Sequence, residues 1–167
     1  MKKILLASDH AGFELKEEIQ KYLIDEGYKV EDIGALFYEP TDDYPDFIRP
    51  LAERIGKEHK NDTLGIIFGG SGQGEAIVAN RIPGVRCAVF YGAKSPTTAV
   101  DVTNHVSHAS FEMITLAKLH NNANILSIGA RFVTEGDAKE AIRIFIETEH
   151  KPDERHDRRI KKIDNLD

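Results

Sequence analysis

The 167-residue sequence predicts an α/β fold with a five-stranded parallel sheet, on two observations. Short apolar runs alternate with amphipathic segments of helical period, which is the order of βαβ units. One of those runs, Leu64-Gly65-Ile66-Ile67-Phe68, passes directly into Gly69-Gly70-Ser71-Gly72-Gln73-Gly74-Glu75 and then into a helical pattern. That is the strand–turn–helix junction of such a unit.

Each element has its own signal. Ile4–Ala7 reads as a buried strand, and residues 13–26 follow as a helix with Leu15, Ile19, Tyr22 and Leu23 at helical spacing and Gly27 at its end. Val30–Ile33 is a second, weaker strand. Residues 44–58 form a helix with Pro45 in its first turn and an expected break near Pro50. Leu64–Phe68 is the third strand, residues 75–80 begin the third helix, and Pro83-Gly84 turns the chain. Cys87–Tyr91 is the fourth strand. Residues 92–108 are polar and carry no clear period. A helix over 111–120, a fifth strand over 124–128 and a helix over 137–148 follow, the last with Ala141, Ile142, Ile144 and Phe145 apolar. From Asp153 onward the chain is a charged helix or tail. With no repeat, low-complexity tract or linker, residues 1–167 are expected to form a single domain.

Composition narrows the function. Hydrophobic residues at 41% and charged residues at 30% are an ordinary globular balance. A net charge of −6 argues against nucleic acid as the main partner. The single cysteine, Cys87, fits a reducing compartment and sits in an apolar run, so a buried, inert thiol is expected. The N-terminal apolar run is too short for a signal peptide and no stretch approaches a membrane span, which points to a soluble cytoplasmic protein.

In a parallel sheet, ligands sit at the carboxyl ends of the strands. Asp9 and His10 follow strand one, Gly69 to Glu75 follow strand three, Tyr91 follows strand four, and Arg131 follows strand five. All should line one edge. The glycine-rich turn leaves backbone N–H groups free to face an anion, and it ends in a carboxylate. A Walker A loop needs Lys where Glu75 stands, and the dinucleotide fingerprint started at Gly70 meets Glu75 at its sixth place, so a nucleotide reading is weak. The alternative is a tight turn that uses glycine for positive φ.

Other polar residues carry paired readings. Asp9 either serves the site with His10 or caps the following helix. His120, in His120-Asn121-Asn122, either moves protons on a sugar or favours a helix C-terminus. Arg155 and Arg159, four apart in the densest basic cluster, either share a face that grips a phosphate or belong to a solvated tail paired with Asp153, Glu154 and Asp157. The histidines lack metal-ligand spacing, and no metal is expected.

Seven blocks occur in the order of a known family. They are Ser8-Asp9-His10-Ala11-Gly12, Asp43-Tyr44-Pro45-Asp46, the Gly69–Glu75 loop, Ala79 to Arg86, His120-Asn121-Asn122-Ala123-Asn124, Gly129-Ala130-Arg131 and Arg155-His156-Asp157-Arg158-Arg159. Together they resemble the type B ribose-5-phosphate isomerases, grouped with galactose-6-phosphate isomerase subunits. The resemblance implies a three-layer α/β/α Rossmann-like domain and a homodimer or dimer of dimers, with a C-terminal helix reaching the partner subunit. It also implies a metal-free and cofactor-free aldose–ketose isomerase of the pentose phosphate pathway. Its substrate would be ribose 5-phosphate, converted to ribulose 5-phosphate through a cis-enediol(ate).

The family divides by its base, a cysteine at the start of the glycine loop or a glutamate at its end. Gly70 stands at the cysteine position and Glu75 is present, so the chain resembles the glutamate branch. By matching positions, Glu75 is the base and the backbone of Gly70, Ser71, Gly72, Gln73 and Gly74 holds the enediolate oxygen. His120 is the ring-opening acid, with His156 a possible assistant. Asn121, Asp9 and His10 contact the sugar, while Arg131, Arg155 and Arg159 hold the phosphate, some of them from a partner subunit. The polar segment 92–108 is longer than the family's and is expected either to form a lid or enlarge an oligomer contact, with an effect on sugar preference, or to be a tolerated surface insertion. Two other functions stay open: a hexose 6-phosphate isomerase acting on allose or galactose, and a non-catalytic sugar-phosphate binding protein.

Overall fold

The structure, a computed structural model, describes residues 2–58 and 62–165. Five strands, β1 (Lys3–Ser8), β2 (Lys29–Gly34), β3 (Thr63–Gly69), β4 (Cys87–Phe90) and β5 (Ile125–Gly129), form one parallel sheet in the order β2-β1-β3-β5-β4. Helices α1 (Phe13–Asp25), α2 (Pro45–Lys57), α3 (Gln73–Ala79), α4 (Glu112–Asn121), α5 (Glu135–Glu147) and α6 (Glu154–Asp164) complete the described chain.

Strand alternation creates two cores. Ile4 and Leu6 of β1 pack in one cluster with Ile66 and Phe68 of β3 and with buried residues of α1, α4 and α5, such as Leu23, Ile114 and Phe145. The intervening Leu5 and Ala7 face the other side, where Ile67 meets Ile48, Leu51, Ala52 and Ile55 of α2 and Ala79 of α3. Side chains that alternate sides at period two thus give the expected three-layer α/β/α arrangement.

Helix α3 starts at Gln73, two residues before the expected 75, and two further differences from expectation have local causes. Helix α2 runs unbroken through Pro50. The N–H that proline lacks would have bonded to the carbonyl of Asp46, and both residues are exposed, so water can serve that carbonyl. Helix α5 starts at Glu135, two residues earlier than expected, because Thr134 and Asp137 form a capping box.

Lys16 on α1 is fully buried, its ammonium bonded to Asp32 of β2 and Glu17 and lying 5.2 Å from the Phe13 ring. Lys16→Ala should cost about 3–5 kcal/mol in denaturant unfolding, because it strands the largely buried Asp32 carboxylate. A loss under about 1 kcal/mol would show that this ion pair is dispensable.

Candidate active site

The strand register sets the carboxyl edge. Ser8 pairs with Phe68, Gly69 with Gly129, and Phe90 with Ile128, so the turns after β1, β3, β4 and β5 leave the sheet at one level. Gly12 brings the first of these turns close: a Cβ there would lie 2.5 Å from the Phe68 carbonyl carbon. Asp9 is buried, and its Oδ1 accepts the N–H groups of Ala11 (3.0 Å) and Gly12 (3.2 Å). It shapes the turn ahead of α1 rather than capping α1 at its N-cap, Gly12.

Glu75 lies in the first turn of α3 and is 4% exposed. Its carboxylate fills the space above Gly69, where a Cβ would fall 1.9 Å from Oε1. Only glycine at 69 leaves room for it. Burial raises the Glu75 pKa, a backbone N–H bond opposes the rise, and the negative Asp9 adds to it. Gly72 takes a left-handed conformation (φ 74°), and its carbonyl accepts the Ser127 hydroxyl at 2.7 Å, which fixes the loop to β5. Among the described residues, the N–H groups of Gly70, Ser71 and Gly72 have no acceptor, while the Gln73 N–H reaches Ser71 Oγ at 3.4 Å. Arg131 folds over the loop, with Nη1 3.3 Å from where a Gly70 Cβ would stand. Tyr44 packs on the same loop at Gly74.

Asp42 is a site neighbour that the sequence reading missed. Its Oδ1 accepts the His10 N–H at 3.0 Å and lies 2.7 Å from His10 Nδ1, so the ring is held from a segment 32 residues away. The Asp42 side chain is 7% exposed, and its Oδ2 has no partner among the described residues. Asp9, His10 and Asp42 bring ligand-capable atoms within 4.8 Å of one another, the set best placed to hold a cation. One oxygen of each carboxylate, Asp9 Oδ1 and Asp42 Oδ1, is engaged by the Ala11, Gly12 and His10 donors, while Asp42 Oδ2 stays free of a partner among the described residues.

The remaining expected residues lie elsewhere. His120 and Asn121 end α4 immediately before β5, whereas Arg131 follows the other end of β5. Five residues of strand, about 13 Å at ~3.3 Å per step, separate the two groups. At this amino edge His120 stacks on His156, with ring centroids 4.1 Å apart and planes 8° from parallel. Both line a cleft of about 600 Å³ with Arg155, Arg159, Lys151 and residues 99–103. Burial lowers the His120 pKa, with His156 and Arg155 adding to that and Asp101 and Asp153 opposing it. Asn121 instead lines a second cleft of about 580 Å³ with Arg86, Ile163 and Asp164.

The arginine pair shares a face of α6, as the four-residue spacing predicts. Two of the three carboxylates expected to pair with it, Asp153 and Asp157, are otherwise engaged. Asp153 accepts the His156 N–H at 3.0 Å, and Asp157 bonds His150 Nε2 at 2.9 Å. His150, also overlooked in the sequence, meets the Leu119 carbonyl through Nδ1 and so ties α6 to α4. Arg86 adds a bidentate pair to Asp164, both contacts 2.9 Å. Cys87 is half-buried rather than buried, and desolvation together with the charge of Glu75 pushes its thiol pKa up, away from reactivity.

No helix of the described residues is long and apolar enough to cross a membrane. The ribose/galactose isomerase family profile matches residues 4–107 and 105–163, dividing within the polar segment after β4. A ribose-5-phosphate isomerase B of Mycolicibacterium paratuberculosis is 39% identical over 158 residues, covering 95% of this chain and 87% of the relative. The ribose-5-phosphate isomerase B of Mycoplasma genitalium, crystallised with ribulose 5-phosphate, superposes with a TM-score of 0.82 at 31% identity, over 97% of this chain and 93% of that one. The Thermotoga maritima ribose 5-phosphate isomerase gives 0.81 at 36% identity, over 99% of each.

Proposed function

This chain belongs to the ribose/galactose isomerase family, and from that membership and its two polar clusters we propose that it interconverts ribose 5-phosphate and ribulose 5-phosphate. The observation that carries the reading is Glu75: a buried carboxylate set against Gly69, beside unfilled backbone donors and the Arg131 guanidinium. A pure anion site gains nothing from such a carboxylate, so the non-catalytic reading loses support.

The chemistry follows from these groups. His120 gives a proton to the ring oxygen while solvent water accepts the C1 hydroxyl proton, opening the sugar. Glu75 takes the proton from C2 of the aldose, and the charge that develops on O1 is met by the N–H groups of Gly70, Ser71 and Gly72. Glu75 returns its proton to C1 while the hydroxyl proton passes from O2 to O1, leaving the ketose. Nothing is oxidised or reduced overall. Asp9 and His10 bind the sugar hydroxyls, and Arg131, Arg155 and Arg159 hold the phosphate; Asn121, which lines the other cleft, has no place in this scheme.

Glu75 and His120 lie at opposite edges of one sheet, which supports a site shared between copies. One copy supplies Glu75, the glycine loop and Arg131, and the other supplies His120, Arg155 and Arg159. A twofold dimer then holds two such sites. Formation of ribulose 5-phosphate from ribose 5-phosphate by the purified protein tests the function. Absence of turnover on this substrate would overturn it.

Asp42 enters this scheme as a positioning residue that orients His10. Asp42→Ala should lower kcat/KM about tenfold, and Asp42→Asn, whose amide oxygen still accepts from both His10 donors, should lose less. Equal losses in the two variants would remove that role.

A further inference from the structure

The segment joining β4 to α4 is a braced excursion. At its base the Lys94 N–H donates to the Ser110 carbonyl (2.6 Å) and the Ser95 hydroxyl to the His108 carbonyl (2.9 Å). At its tip the Val100 N–H donates to the His105 carbonyl (2.8 Å). Asp101 Oδ1 locks the turn, accepting from the N–H groups of Thr103 (2.8 Å) and His105 (3.2 Å) and from the Thr103 hydroxyl (2.7 Å). From base to tip the chain runs about five residues, roughly 16 Å if extended. That matches the length of the ten-residue α4, about 15 Å. The base sits by the start of α4 and the tip reaches its far end. There Ala99, Val100, Asp101, Val102 and Thr103 line the cleft of His120, His156, Arg155 and Arg159.

We propose that this tip is a specificity wall that confines the substrate to a five-carbon sugar phosphate, an inference that rests on the isomerase reading above. The assembled site fixes the span from Glu75 of one copy to the arginines of the other. A hexose 6-phosphate inserts one more CHOH between the reacting carbons and the phosphate, so its chain must bow sideways. The cleft lined by the arginines of α6 is also lined by Val100 and Val102 of the braced tip, so the bowed chain meets them there. Rejecting one extra carbon in a shaped pocket is worth roughly 10–200-fold.

The test compares ribose 5-phosphate with allose 6-phosphate on wild type, on a variant with residues 97–106 replaced by Gly-Gly, and on the milder Val100→Ala/Val102→Ala variant. The expected result is a rise of at least about tenfold in the hexose-to-pentose ratio of kcat/KM on shortening, and a smaller rise in the double variant. Should the shortened chain fail to fold, the double variant decides. An unchanged ratio in the folded variants, with ribose 5-phosphate still turned over, overturns the wall and leaves the isomerase reading intact. A wild type that prefers allose 6-phosphate overturns it too. Wild type inert toward both sugars means that the isomerase reading has failed, and the wall with it.

Discussion

Replacing Glu75 with glutamine is expected to lower kcat for ribose 5-phosphate by about 10³-fold while substrate affinity stays within a few-fold, as for loss of a general base. Glutamine has nearly the same shape, so the packing against Gly69 survives while the group that moves the proton is lost. Measured kcat and an independent binding titration check the two halves of the expectation. The pH profile adds a second signature. Glu75 acts as its carboxylate, so turnover falls as pH drops through its pKa. Burial and Asp9 raise that pKa, so the acid limb of kcat/KM should lie above the ordinary carboxylate value of 4.5. The limb should vanish from the residual activity of Glu75→Gln. An unimpaired variant would remove Glu75 as the base.

The second large effect is on binding. Arg155→Ala/Arg159→Ala should raise KM by at least about 10²-fold, since two hydrogen-bonded guanidinium contacts to a phosphate are each worth roughly 1.5–3 kcal/mol. Competitive inhibition by inorganic phosphate should weaken in parallel. The expectation rests on geometry: both arginines line the His120 cleft, and Asp153 and Asp157 are committed to other partners. An unchanged KM would return the helix to the solvated-tail reading.

What the sequence made legible follows from range. Apolar runs and helical faces are local, and they located the five strands and first five helices of the described residues, while the charged stretch from Asp153, left as helix or tail, forms α6. Alternation of strand and helix then placed Asp9, His10, the glycine loop and Arg131 at one edge. The misses are long-range. Asp42 meets His10 across 32 residues, the burial of Lys16 on α1 depends on Asp32 of strand β2, and His150 acts by joining two helices. The Thr134–Asp137 box was readable but overlooked. Residues 92–108 lack any period because turns and side-chain bonds shape them, so only the fold shows where their tip arrives. The opposite placement of His120 and Glu75 was implicit in chain order, since one precedes β5 and the other follows β3.

Sharing of the site between copies is tested most directly by complementation. Glu75→Gln and Arg155→Ala/Arg159→Ala chains are each crippled alone at substrate well below KM. Dissociated, mixed equally and reassembled, they should form mixed dimers in half of the population, each with one intact site and one doubly altered site. A site built from two chains should recover about one quarter of wild-type kcat/KM. Activity no higher than the mean of the two parents, with mixed dimers demonstrably present, would contradict a site built from two chains.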